Sequence, residues 1–207
     1  MASEALFHWA RLKTPEGNFH ALAEQLEAST LPSLARHGGQ RWMLANGLFG
    51  LASNELLLVT AWPNGTNPAG LVGAALPAGV EVVEEYDFVA TARPGSEQPP
   101  QRAGVYVHRL FVVDAANIER FVALSREAWE SFETSPDYQA EPQGLFRLRD
   151  HPEIGGQMLL VTWYDRLESW ERSRTPPPAA RANFRERATL TKRSIAYPAR
   201  LLGLPAT

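Results

Sequence analysis

The chain has no cysteine, which removes disulfides, thiolate catalysis and cysteine-held metal from consideration. Lysine is nearly absent too. It stands at Lys13 and Lys192 alone, so arginine supplies almost all of the 20 basic residues, a bias we read as compositional. Charge of one sign is not in excess: a net −3 gives no electrostatic case for nucleic acid or for a membrane surface. No apolar run approaches the roughly 20 residues that cross a bilayer. Met1-Ala2-Ser3-Glu4 has no basic stretch and no apolar stretch follows it, so a cytoplasmic chain is expected. Also missing are a Gly-Xaa-Ser-Xaa-Gly elbow, a phosphate loop, a dinucleotide fingerprint and a His-Glu-Xaa-Xaa-His motif. Their absence argues against the common hydrolases, kinases, dehydrogenases and zinc proteases.

What is present is a duplication. Glu55-Leu56-Leu57-Leu58-Val59-Thr60-Ala61-Trp62 recurs as Gln157-Met158-Leu159-Leu160-Val161-Thr162-Trp163-Tyr164, an offset of 102 residues. Gly47-Leu48-Phe49 and Gly144-Leu145-Phe146 lead into the two copies. The elements around them follow one order twice. Leu6 to Lys13 reads as a strand, stopped by Thr14-Pro15-Glu16-Gly17. Phe19, Leu22, Ala23 and Leu26 then fall at helical spacing, with Pro32 as an interruption. Trp42 to Ala52 and Leu56 to Trp62 form a hairpin, a short helix lies between Ala69 and Leu76, and Val80 to Thr91 is a last strand. In the second unit Val105 to Val113 is a strand and Asp114 is expected to cap a helix bearing Ile118, Phe121, Val122, Ser125 and Trp129. Gly144 to Arg149 and Gln157 to Tyr164 form the hairpin, Asp165 to Arg174 a helix, and Thr189 to Tyr197 the last strand.

Each unit is therefore β-α-β-β-α-β, the ferredoxin-like order, which leaves one face of an antiparallel sheet uncovered. The expected fold class is α+β: two tandem ferredoxin-like units, residues 1–92 and 104–207, joined by a polar, proline-rich linker at 93–103. Their sheets pack into one pseudo-dimeric barrel with helices outside. The expected state is a monomer, since the second copy takes the place of a second subunit.

At this point the chain resembles the dimeric α+β barrel superfamily in tandem form, and within it the NIPSNAP and antibiotic-biosynthesis-monooxygenase-like families. Tyr106-Val107-His108-Arg109-Leu110-Phe111 is similar to the opening strand of NIPSNAP units: Arg109 matches the family arginine and Phe111 replaces its second tyrosine. In the first unit Arg11 is the matching arginine. Val161-Thr162-Trp163-Tyr164-Asp165, followed by Trp170-Glu171-Arg172, resembles the family's strand-to-helix passage. The resemblance implies cofactor-free oxygenation of a small aromatic or polyketide-like molecule, or else non-catalytic binding of a small molecule or of haem. Fold likeness alone does not choose between them.

Several side chains could carry such chemistry. His8 and His108 pair at an offset of 100, or Arg11 pairs with Arg109 at 98. Both offsets are even, so the two histidines are expected to share a facing. His108 is the candidate general base, its other reading being a core histidine hydrogen-bonded to a neighbour. Arg147 is the candidate stabiliser of an anion. It lies beside Arg149 where the first unit has Gly50 and Ala52, so any active pocket is expected in the second unit. Tyr106, Arg109, Trp163 and Trp129 are the candidate ligand-binding residues; aromatics on such strands are more often core. No metal site is expected. The nine basic residues between Arg166 and Arg200, interleaved with Glu168, Glu171 and Glu186, read as a solvated face, with an anionic partner as the rarer alternative.

Overall fold

Leu6–Lys13, strand β1, is flanked on both sides: by β3 (Glu55–Trp62) in register from Leu6↔Trp62, and by β4 (Glu81–Ala90) from Leu6↔Val89. The structure, a computed structural model, describes residues 3–203. Residues 1–2 and 204–207, the outer ends of the two units expected from sequence, lie outside the described residues. Strand β2 (Gln40–Gly47) completes the first sheet beside β3. The second sheet repeats the pattern with β5 (Val105–Val113), β6 (Ala140–Leu148), β7 (Gly156–Tyr164) and β8 (Thr191–Leu201). Two short antiparallel seams join them, β2 to β8 through Ala45–Gly47 and β4 to β6 through Phe88–Ala90. All eight strands close into one barrel in the order β1-β3-β2-β8-β5-β7-β6-β4.

The duplicated strands are buried along almost their whole length, β3 at every position. That explains their near-continuous apolar runs: one face meets the barrel interior and the other meets helices. The interior is lined by alternate residues, among them Phe7, Trp9, Val59, Tyr106, Leu110, Phe146 and Trp163. Outside the first sheet, α1 (His20–Gln25) continues through a π-helical turn at Leu26–Thr30 into α2 (Leu31–Ala35). Pro32 sits in the first turn of α2, where its missing N–H costs little, so it starts a segment instead of breaking one. With α3 (Pro68–Ala75) these helices cover the sheet with one continuous apolar layer: Ala10, Leu22, Leu26, Leu44, Leu58 and Trp62 are all buried in it.

The second sheet is covered by α4 (Ile118–Phe132), α5 (Leu167–Arg172) and α6 (Pro178–Thr189). Here the apolar layer is split. One cluster gathers Val107, Ala128, Phe132, Tyr138 and Tyr164; the other gathers Phe111, Phe121, Trp129, Leu145 and Met158. Asp114 does not cap α4. Its carboxylate accepts from the Gly155 amide at 2.7 Å and pairs with Lys192 at 2.6 Å, which ties the β6–β7 turn to β8.

The pairing corrects the alignment of the two units. Leu6 opposes Trp62, and Val105 opposes Tyr164. Trp62 and Tyr164 are repeat equivalents, so Leu6 matches Val105, an offset of 99. An odd offset reverses every facing argument made from an even one. Trp9 is the counterpart of His108, Ala10 of Arg109, and Arg11 of Leu110. His8 and His108 therefore face opposite sides of the sheet, and Arg11 does not match Arg109. By the same rule Arg147 answers Asn46 (Leu56 opposes Asn46, Met158 opposes Arg147), not Gly50.

Candidate functional site

His108 is fully buried inside the barrel. The Trp9 indole N–H donates to its Nδ1 at 3.2 Å. An accepting Nδ1 fixes the neutral ring with its proton on Nε2, and that N–H has no protein acceptor. Burial lowers the His108 pKa to about 3, because no carboxylate offsets the loss of water around the cation. Trp9 in turn stacks with Tyr86 and Tyr197, ring centroids 6.0 and 6.3 Å away. The histidine is thus part of an aromatic core. His8 looks outward, where its Nδ1 is 2.8 Å from Asp87, which also holds Arg149 at 3.0 Å.

Arg147 is not beside His108. Its Nη1 donates to the carbonyls of Leu148 and Arg149 at 3.0 and 3.2 Å, so it braces the end of its own hairpin. The pairing of these two as base and anion stabiliser is therefore corrected: the observed register puts one in the barrel and the other on the outer hairpin. Tyr106 and Trp163 also belong to the barrel interior. The Tyr106 hydroxyl donates to the Arg102 carbonyl at 2.8 Å, the Trp163 N–H donates to that of Ala103 at 3.0 Å, and Arg102 stacks on the Trp163 ring.

Arg109 and Trp129 have a different setting. They line a cavity of about 570 Å³ between the outer face of the second sheet and α4 and α6. It lies where the second apolar layer is split. Its floor is built by alternate residues of β5 and β7: Val107, Arg109 and Phe111 from one, Leu160, Thr162 and Tyr164 from the other. On α6, Arg181, Phe184, Arg185 and Ala188 recur at helical spacing and turn one face to the cavity. Trp129 and Phe132 complete the aromatic wall from α4.

The cavity wall carries six arginines: Arg109, Arg174, Arg181, Arg185, Arg187 and Arg193. It carries no aspartate or glutamate. Among the described residues none of the six forms an ion pair, whereas half-buried arginines elsewhere do: Arg11 with Glu55, Arg93 with Glu133, Arg149 with Asp87. Arg187 is the deepest, 9% exposed. Its Nη1 donates to Ser125 Oγ at 3.0 Å, and its guanidinium lies over Phe111, Phe121 and Phe184 at 5.1, 5.2 and 4.7 Å. Burial, and next the charge of Arg109, lower its pKa to about 9. Arg109 is itself lowered by burial and by Arg174. Tyr164 is raised by burial, against the pull of Arg109, Arg174 and Arg187. Three guanidiniums and one phenol therefore interact around a common space.

A second cavity of about 460 Å³ shares Arg109, Arg174 and Ser194 with the first, and adds Leu167, Trp170, Glu171 and Ala196. The first-unit counterpart of Arg109 is Ala10, fully buried under a closed layer of leucines. The two halves differ here by Arg109 against Ala10, not by the Arg147, Arg149 and Trp163 on which the asymmetry was expected to rest. Sequence reading missed Ser125, Arg187 and the α6 arginines. The signal was the basic stretch from Arg166 to Arg200, taken for a solvated face. A haem would need an axial side chain. The cavity lining has no histidine, cysteine or methionine, and burial raises the pKa of Tyr164, which disfavours a phenolate ligand, so these residues do not fit that group.

No family model matches the chain, and no curated protein matches it. Solved structures do. An anthrone oxidase-like protein is similar at 14% identity and TM-score 0.62, with 99% of this chain and 98% of that one covered. A monooxygenase-like protein from Listeria innocua aligns at 14% identity and TM-score 0.55, covering 97% and 96%. A mutant chlorite dismutase from Candidatus Nitrospira defluvii aligns at 8% identity and TM-score 0.65, covering 98% and 93%. At such identities the likeness establishes the fold: this chain is a ferredoxin-like α+β barrel of the kind shared by monooxygenase-like and chlorite dismutase-like proteins.

Proposed function

We propose that this protein binds a small aromatic molecule in the second-unit cavity. The observation that carries the reading is the cavity wall. Phe111, Trp129, Phe132, Tyr164 and Phe184 surround a space of about 570 Å³ at the place where the first unit has one continuous buried apolar layer. An apolar concave site with a few convergent polar groups is the usual form of a small-molecule pocket. The NIPSNAP-like assignment remains part of this proposal. It is supported by the strand Tyr106–Phe111, whose matching arginine, Arg109, stands on the cavity floor.

A cofactor-free monooxygenase-like activity is the second reading, and the names of the structural neighbours favour it. His108 is no base for it: it lies buried on the other side of the sheet, and burial lowers its pKa to about 3, so it holds a proton poorly. The guanidiniums could instead favour the enolate or phenolate of an acidic substrate by charge alone. A screen of aromatic compounds followed by tryptophan fluorescence, with Trp129→Phe as the control that singles out this one of the six tryptophans, tests the binding reading. Oxygen uptake with each binder separates the two: binding with no uptake leaves a binding protein.

A further inference from the structure

We propose, resting on the reading of this cavity as an aromatic-ligand site, that its occupant is an aromatic acid whose carboxylate is seated between Arg109 and Arg187. Three independent features of the wall support this. First, Arg187 is the most buried arginine among the described residues, yet beyond its bond to Ser125 Oγ its donors meet no protein acceptor there. A guanidinium has five donors in a rigid fork that suits a carboxylate. Second, no protein carboxylate lies on the wall to neutralise it, and Arg109 and Arg174 add like charge. Such an arrangement opposes folding unless something negative completes it. Third, the fold does not require it. In the first unit Ala10 occupies the place of Arg109, and α3, built from small and apolar residues, occupies the place of the arginine-bearing α6.

The wall also separates where charge and ring would lie. Phe111 and Phe184 flank Arg187. Arg174 and Arg185 are exposed at the mouth, where they would raise the local concentration of an anion. Arg109 stands at the junction with the second cavity, whose Trp170 has a buried N–H without an acceptor. An acid with a substituent beyond its carboxylate-bearing ring has room there.

The test is calorimetric titration with 1-naphthoate, with 1-naphthalenemethanol as the neutral isostere, and with inorganic phosphate. Wild type, Arg109→Ala and Arg187→Leu are compared, and the melting temperature of each is recorded. Expected are at least about tenfold tighter binding of naphthoate than of the alcohol, and loss of about tenfold or more in either variant. Affinity for the alcohol should stay within about threefold, and Arg187→Leu should melt no lower than wild type, because it removes a buried charge that no carboxylate pairs. Equal binding of the alcohol would leave the aromatic site standing and overturn the carboxylate seat. Phosphate binding as tightly as naphthoate would overturn the aromatic acid in favour of an inorganic anion. Binding of neither aromatic compound would remove the site itself, and this proposal with it. If Arg187→Leu does not fold, Arg109→Ala decides, since alanine is the residue the other unit carries there.

Discussion

Trp9 and His108 occupy equivalent positions on the central strands of the two halves, and they meet inside the barrel, Nε1 of the indole donating to Nδ1 of the imidazole at 3.2 Å. One repeat position has become an aromatic donor and the other its acceptor. The contact joins the halves across the interior, away from the helix-covered cavity. Because His108 has a folded pKa of about 3, below its ordinary value of 6.5, it stays neutral in the fold while the unfolded chain takes up a proton. Stability is then lost as pH falls through 6.5 toward 3. Urea unfolding should show a loss of about 2 kcal/mol between roughly pH 7 and pH 5 from this group. His108→Gln should lack that component; an unchanged pH dependence would mean that His108 is protonated in the fold.

Neither His108 nor Arg147 should affect ligand binding at the cavity. Both lie outside its lining, and their neighbours are the barrel core and the β6–β7 hairpin end. Arg147→Ala should leave the affinity for 1-naphthoate within about twofold, while Trp129→Ala, which takes away an aromatic wall, should weaken it by about tenfold. A large loss in Arg147→Ala would move the site to the hairpin.

The two helix-covered layers should differ in their response to truncation. Leu58 is fully buried under a closed apolar layer, and Leu160, its repeat equivalent, borders the cavity. Leu58→Ala should cost about 3–5 kcal/mol, and Leu160→Ala about 1–2 kcal/mol less, because the second site already has space beside it. Chemical denaturation of the two variants measures the difference. Equal losses would indicate that the second layer is packed as tightly as the first.

Much of the architecture could be read because two repeated signals reinforce one another. The hairpin strands are long and apolar enough to be covered on both faces, and their recurrence at an offset of 102 implied a second sheet of the same kind. Facing was another matter. β1 and β5 were aligned on a shared histidine or arginine, and either choice gave an even offset. The ladder Leu6↔Trp62 against Val105↔Tyr164 makes it odd. A single-residue slip moves every side chain to the opposite face, so Arg109 was paired with Arg11 instead of Ala10. The cavity was hidden for a related reason. Arginines at 181 and 185 share a helical face with Phe184, and charge on a helix usually means water. Only the tertiary arrangement shows that this face looks at Arg109 across a gap.

The barrel closes on itself, because β2 meets β8 and β4 meets β6 within one chain. Burying both sheet faces needs no second subunit. Sedimentation equilibrium should therefore give the mass of one chain, 22.9 kDa, under conditions where the protein melts cooperatively. A species that melts only as a dimer, with a concentration-dependent midpoint, would show that the intramolecular seams are insufficient.

The most direct measurement is a crystal structure of the protein with 1-naphthoate bound. The carboxylate should lie about 3 Å from the guanidinium nitrogens of Arg109 and Arg187, with the naphthyl ring against Phe184 and Trp129. Naphthoate found inside the barrel beside His108, or at the hairpin end beside Arg147, would contradict the assignment of the second-unit cavity as the ligand site.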